Sequence, residues 1–315
     1  TYIDKTNDVG FLAPGFSTSP SKRLKLDRTD SLVLLRQPKY NLQSEVKDDN
    51  VQHALDASGM DAIVAAFPIA AKNNDNTGVI FDATSFFSGG NKDIVNLRGR
   101  SVGDGMVIYE NDYLSQRSQI EAVNAFGNSI AVSSEIGFRL TIAVMIGLLS
   151  EKPEVSAGIT TTLTLLPEEK MAVRMADPRI GTGYVKFTSF GSGGSKAGYF
   201  AGRWKLVPKD EKSVLEGGTS DPVKPIVIYV DTLFTASWAE AVKKGIEKWN
   251  PALEKAGFSN AILVKPFPSD TDFHSNDPLI SCVRFSPSPS RAIAVRRLAD
   301  PRTGELFSCQ ITVTR

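Results

Sequence analysis

Two cysteines and two histidines among 315 residues leave little material for cross-linking or metal chemistry. Cys282 and Cys309 are too few for a disulfide framework or a four-cysteine zinc site. They read as buried thiols acting as small hydrophobes, with a single bridge between neighbouring strands as the alternative. Charge of one sign is also missing. Thirty-six basic against thirty-five acidic residues leave a formal charge of +1, without the basic excess of a chain that grips phosphate backbones, which argues against nucleic acid as a partner. Nor is there a long apolar run: LTIAVMIGLL, from Leu140 to Leu149, is about half of the roughly 20 residues that a membrane-spanning helix needs, so it reads as core. No charged leader with an apolar stretch precedes Thr1, so the expectation is that any export signal has been removed or was never present. What is present is a 41% hydrophobic, 23% charged composition that can fill sizeable cores, at a length that favours two packed units.

Along the chain, LKLDRTDSLVLLRQ from Leu24 to Gln37 reads as a β-hairpin turning at Arg28 to Ser31. Ser44 to Ser58 is helix-compatible, and DAIVAAFPIAA and GVIFDATSFF read as strands separated by the Asn73–Gly78 turn. From Asn111 to Phe126, apolar Leu114, Ile120, Val123 and Phe126 approximate a short amphipathic helix. Ser129 to Glu135, Gly137 to Gly147 and Gly158 to Leu166 are β-branched strand candidates. Between Lys170 and Asp221, short strands YVKFTSF and GRWKLV are interrupted by the Gly/Ser piece from Gly191 to Gly198, which predicts a hairpin tip.

A second unit opens at Pro225. PIVIYVD is a continuous apolar run suited to a sheet covered on both faces. The helix after it is predicted to start with a capping box of Ser237 and Glu240 and to bury Trp238, Val242, Ile246 and Trp249 on one face. Pro251 should restart the helix after Asn250, and Gly257 should close it. AILVKPF and LISCVRF then give strands, and RAIAVRRLADPRTGELFSCQITVT gives two more around the turn Asp300–Gly304. No internal repeat is apparent. The expected fold class is α+β: an antiparallel β-rich domain over residues 1–169, a connector with short strands over 170–224, and an α/β unit over 225–315.

Motifs of chemistry are scarce. Neither His53 nor His274 belongs to an H-E-x-x-H helix, which would place two imidazoles on one face for zinc. Both read as exposed surface residues, with an adventitious metal site of His274, Asp270, Asp272 and Asp277 as the alternative. Asn73–Gly78 lacks the alternating acids of a calcium loop, and Gly191–Gly198 lacks phosphate-loop spacing. There is no G-x-S-x-G elbow, and the S-x-x-K from Ser19 to Lys22 lies in a Pro/Ser-rich stretch without helical context.

The second unit, PIVIYVDTLFTASWAEAVKKGIEKWNPALEKAGFSNAILV followed by LISCVRFSPSPSRAIAVRRLADPRTGEL, resembles the opening of the catalytic domain in bacterial zinc-dependent metalloproteases of the metzincin type. MADPRIG, RWKLVPKD, WNPALEKAGF and DPRTGEL are its most specific pieces, and the preceding segments resemble that family's accessory region in the same order. The resemblance implies a twisted sheet with one long helix, and an edge strand that holds extended polypeptide substrate. That edge falls on Ser290 to Leu298, with Arg291, Ala292, Ile293, Ala294 and Val295 as candidate substrate-binding residues; the alternative is a hairpin strand whose arginines keep it soluble. In the family, the zinc-binding H-E-x-x-H-x-x-G-x-x-H helix follows the DPRTGE hairpin, after Arg315. The resemblance therefore implies zinc in the full-length protein, none in this chain, no catalytic residue here, and a partner in the missing C-terminal catalytic half. It also implies an exported protein: periplasmic, on the outer surface, or secreted. Two rival expectations are a non-enzymatic surface module that binds peptides or glycans, and an accessory region that restrains the protease as a pro-segment does.

Overall fold

The computed structural model describes residues 1–7, 12–19, 21–38, 42–44, 49–96, 100–101, 106–144, 147–148, 153–191, 194–269, 273–288 and 292–315. In chain order, strands β1 (Tyr2–Thr6), β2 (Lys25–Arg28), β3 (Leu32–Gln37) and β4 (Leu42–Ser44) precede helix α1 (Asp49–Ala57). Then come β5 (Ala62–Lys72), β6 (Val79–Phe81), α2 (Thr84–Ser88), β7 (Arg100–Ser101), β8 (Met106–Phe126), β9 (Ser129–Val144), β10 (Gly147–Leu148) and β11 (Glu154–Thr164). A 3-10 turn at Pro178–Ile180 leads to β12 (Tyr184–Gly191), β13 (Gly194–Ala201), β14 (Arg203–Trp204) and α3 (Glu211–Leu215). The last stretch holds β15 (Ile226–Val230), α4 (Ala236–Glu247), α5 (Asn250–Lys255), β16 (Ile262–Pro266), β17 (Ser281–Ser286), β18 (Ala292–Ala299) and β19 (Glu305–Thr314). The fold is α+β, strand-rich with few helices.

Two antiparallel sheets share one core. The sheet β1-β11-β9-β8-β7 contributes Ile3, Val155, Ile159, Ile136, Phe138 and Leu140, while β2-β3-β5-β6 contributes Val33, Leu35 and Phe67. The aromatic rings of Phe67, Phe81 and Phe86 close this core, with centroids 5.1 and 5.9 Å from Phe67. β12 and β13 form the Gly-tipped hairpin read from the sequence, although Gly194–Gly198 already belongs to β13. β4 pairs parallel to β12, which joins the two ends of the β-rich region.

Residues 111–126 are a strand and not the amphipathic helix expected from the spacing of their apolar side chains. β8 pairs with β9 across the Gly127–Asn128 turn, where φ of +55° at Gly127 suits glycine. Register shifts between Ile108 and Glu110, Leu114 and Gln119, and Ile120 and Ala122 break the two-residue alternation, leaving a pattern that resembles a helical period. The TSFF piece likewise departs from the strand expectation: it forms α2, with Asp82 accepting the Thr84 amide at 2.8 Å.

The final sheet runs β14-β19-β17-β15-β16, all parallel, with β18 antiparallel on the outer side of β19. β15 lies between two parallel neighbours, as its continuous apolar run predicts. α4 covers one face: Ala239, Val242 and Ile246 pack with Val230, Phe234 and Val283. Trp238 and Trp249 depart from the predicted buried stripe, being 45% and 66% exposed: Trp238 lies on the first turn of α4 at the margin of the contact, and Trp249 lies beyond the end of α4 as the N-cap residue of α5. The helix starts two residues earlier than the expected capping box; Thr235 is its N-cap residue, and Ser237 lies within the first turn. Asn250 and Pro251 do open α5, and Gly257 ends that region at φ +93°. The Asn250 amide also clamps the start of β16, accepting from the Ile262 amide at 3.0 Å and donating to its carbonyl at 3.1 Å.

Cys282 is buried and Cys309 half-buried, both as free thiols. Burial pushes the Cys282 thiol up to about 11, so almost no thiolate exists near neutral pH. Native protein at pH 8 should therefore incorporate little iodoacetamide at Cys282 and take up full label once denatured, as read by peptide mass spectrometry.

Candidate functional site

β18 is the outermost strand of the final sheet, and among the described residues nothing pairs along its outer side. The Ala292 amide donates to Thr314 Oγ1 at 2.7 Å, and that hydroxyl donates back to the Ala292 carbonyl at 3.1 Å. The main chain of Ala292 therefore faces β19. Amide and carbonyl directions alternate along a strand, so those of Ile293, Val295 and Arg297 point toward the open edge. Side chains alternate too: Ala294 is buried, whereas Ile293 and Val295 are 68% and 56% exposed. The segment thus presents outward main-chain groups beside two apolar side chains, the elements that β-augmentation uses. Of the five residues nominated from the sequence, Ala292, Ile293, Ala294 and Val295 lie together on this strand, and Arg291 lies outside the described residues.

The back of the strand is fixed by the amino-terminal segment. Gly15 has φ +86°, and a Cβ there would fall 2.5 Å from Thr312 Cβ and 3.0 Å from Ala294 Cβ. Tyr2, 1% exposed, lies against two arginines: the Arg296 guanidinium carbon is 3.2 Å from its ring centroid and that of Arg284 is 5.4 Å away. The Tyr2 hydroxyl and Arg284 both donate to Asn276 Oδ1, at 3.0 and 3.1 Å. Arg296 donates to Gln310 Oε1, whose amide group donates to the carbonyls of Asp277 and Ile280. Arg284 also pairs with Asp4 at 3.5 Å. Desolvation, with Arg284 beside it, pushes the Arg296 guanidinium below its usual value; its tyrosine and glutamine contacts hold it in place.

Two turns of one design flank the entry to this sheet, a short repeat that runs against the expectation of none. Asp177-Pro178-Arg179-Ile180-Gly181 and Asp300-Pro301-Arg302-Thr303-Gly304 share the string Ala-Asp-Pro-Arg-x-Gly. In each, the aspartate accepts from the arginine amide (2.9 and 2.8 Å) and from the same arginine's guanidinium, and the glycine has positive φ, +71° and +80°. Segment 201–203 joins them, Gly202 donating to Gly183 and Arg203 to Gly304. The second turn is packed: Asp300 is fully buried, and Arg302 donates to the Pro167 carbonyl at 2.7 Å. Beside it, Glu305 Oε2 is buried without a partner, and desolvation holds this carboxyl above the ordinary glutamate range despite Lys205 and Arg203 nearby.

Other nominated residues do not converge. His53 is exposed on α1, and His274 leans on the Phe126 ring at 5.4 Å, while Asp270 and Asp272 lie outside the described residues. Asp277 accepts from Ser129 and from the Leu279 amide. Lys22 pairs with Asp93 instead of Ser19. Among the described residues, no three His, Cys, Asp or Glu side chains gather. Sequence reasoning missed Tyr2, Arg284 and the turn repeat; the repeated string was available as a signal for the last, whereas Tyr2 contacts a residue 274 positions away and had none.

Tyr2→Ala should destabilise the fold by about 3–5 kcal/mol, from the lost ring and two buried arginines left facing a cavity, against about 1 kcal/mol for Tyr2→Phe, both read by urea denaturation. Because the folded pKa of Glu305 lies above its unfolded value, its carboxyl favours folding only while protonated, and that contribution disappears as pH rises through the folded pKa. Glu305→Gln should accordingly raise Tm at pH 7 and lose its advantage at about pH 3–4, where both states hold the proton.

Compared with known proteins, residues 19–209 match a family described as a domain of unknown function, DUF5117. No curated protein and no solved structure matches the chain. The matched region begins before β2 and ends after β14, covering more than half of the 315 residues and including the first of the two Asp-Pro-Arg turns. The chain therefore belongs to the DUF5117 family.

Proposed function

We propose that this chain is the accessory β region and the opening of the catalytic domain of an exported zinc-dependent metallopeptidase of the metzincin type, whose extended polypeptide substrate lies along β18. The observation that carries this reading is the final sheet: parallel strands, one long helix α4 after the first of its consecutive strands, and an antiparallel edge with outward main-chain groups at Ile293, Val295 and Arg297. This arrangement accords with the sheet, helix and substrate-holding edge implied by the sequence resemblance. In this reading, zinc and its ligands belong to a part of the protein outside these 315 residues, and the chain by itself is inactive. Its contribution to catalysis is positioning, holding the substrate main chain in register so that one peptide bond meets the reacting centre. Ile293 and Val295 supply apolar contact on the face of the sheet. Tyr2 and Gln310, acting through Arg296, keep the strand from shifting.

In the full-length protein, Val295→Pro removes one outward amide donor at an edge position that tolerates proline. We expect kcat/KM on an unfolded protein substrate to fall tenfold or more, with unchanged zinc content and melting temperature. Undiminished cleavage, or a full-length gene product without a zinc-binding helix, would sink the reading. Peptide binding to the edge with no hydrolysis by the full-length protein would favour a binding module instead.

A further inference from the structure

Arg297 is the third residue of β18 whose main-chain groups point to the open edge, after Ile293 and Val295. The three side chains share one face of the sheet, because they pair with Val313, Ile311 and Cys309 of β19, and Val313 and Ile311 pack on the α4 side. Ile293 and Val295 are apolar and exposed there, and Arg297 is exposed and charged. Among the described residues, no carboxylate pairs with Arg297. The aspartates of the two flanking turns are already engaged, Asp177 by Arg179 and Asp300 by Arg302. The Arg297 guanidinium is nevertheless placed. It lies against Gly183, where an added Cβ would fall 3.3 Å from Arg297 Cζ. Gly183 belongs to the family-matched region, so the two parts of the chain together fix a cation at one end of the edge. A charge kept only for solubility needs water around it and no such seat.

We propose that Arg297 is a specificity residue of the β18 edge, which selects extended polypeptide carrying a carboxylate opposite Arg297 and apolar side chains opposite Val295 and Ile293. The inference rests on the reading of β18 as the strand that holds substrate. Antiparallel pairing is the more stable sense, and a strand added that way runs from Arg297 toward Ile293. Its sequence is therefore Asp or Glu, any residue, apolar, any residue, apolar. Directly opposite side chains start about 4.5–5.5 Å apart at Cβ, so a carboxylate reaches the guanidinium and a lysine in its place is repelled. A sugar or a nucleotide offers no row of amides and carbonyls at strand spacing to meet the outward groups of Ile293, Val295 and Arg297. β18 itself, AIAVRRLA, carries no carboxylate, so a second copy of the chain would leave Arg297 unanswered in any register. The charge that deters general pairing at this end of the edge thus admits the opposite charge.

The test titrates three heptapeptides blocked at both ends, TETVTVT, TQTVTVT and TKTVTVT, into the 315-residue chain labelled with 15N. Saturable shifts of the Ile293, Val295 and Arg297 amide signals are expected. At low salt the Glu peptide should bind about threefold more tightly than the Gln peptide and about tenfold more tightly than the Lys peptide, and added salt should narrow both ratios. Arg297→Gln should bring the three peptides within about twofold of one another, and Arg297→Glu should reverse their order. No saturable shift at millimolar peptide, equal affinities in the unsubstituted chain, or a Glu preference that survives Arg297→Gln overturns the inference. Signals that move with protein concentration alone, in step with a dimer in sedimentation, also overturn it, since a second copy would then hold the edge. Failure of the peptidase reading looks different: the preference for Glu persists, yet full-length protein does not cleave an unfolded protein substrate containing the Glu sequence. The selection then stands as that of a binding module.

Discussion

The Tyr2 ring, held between Arg284 and Arg296, is the contact on which the arrangement of the two halves depends. Two guanidinium groups of like charge are costly to bury side by side. They are tolerated here because the ring's electron-rich face, the oxygens of Asn276 and Gln310, and the Asp4 carboxylate share their donors. β1 is thereby committed in two directions, pairing with β11 in the antiparallel sandwich and capping the inner face of the parallel sheet. Gly15 serves the same junction from the next segment, since only a residue without a side chain lets the backbone approach Thr312.

That asymmetry explains why β18 is clad behind and bare in front. Its even-numbered side chains, Ala294 and Arg296, are taken up by the amino-terminal segment, while its odd-numbered main-chain groups are left to the open edge. Natural sheets ordinarily blunt such an edge with charge or a bulge. Here Arg297 and the register shift at Leu298–Ala299 do so at one end only, leaving Ile293 and Val295 unprotected at the other.

Much of this architecture was legible from local chemistry. The apolar run of β15, the Pro251 restart, the Asn73–Gly78 turn and the Asp300–Gly304 hairpin follow from residues whose conformational preferences act within a few positions. β8 was misread because its bulges erase the strand period, and the exposed tryptophans because an amphipathic stripe does not say how far the opposing surface extends. The edge at β18 was nominated by resemblance alone. Its outward direction follows from its register on β19, marked by the Ala292–Thr314 contact, which no sequence pattern reveals. The Tyr2 clamp lies furthest from reach, because burial of an arginine pair is decided by a strand at the opposite end of the chain.

The span between Tyr2 and Asn276 also orders events in time. Synthesis makes β1 before its partners, and β1 cannot complete its contacts until the segment carrying Asn276, 274 positions further on, has also been made. Local hairpins such as β2–β3 and β12–β13 close early, while the loop that brings Tyr2 to the final sheet carries the entropic cost of closing over more than 270 residues. The junction between the halves is therefore a late event in folding, and until it forms the inner face of the parallel sheet is open to chaperones and proteases.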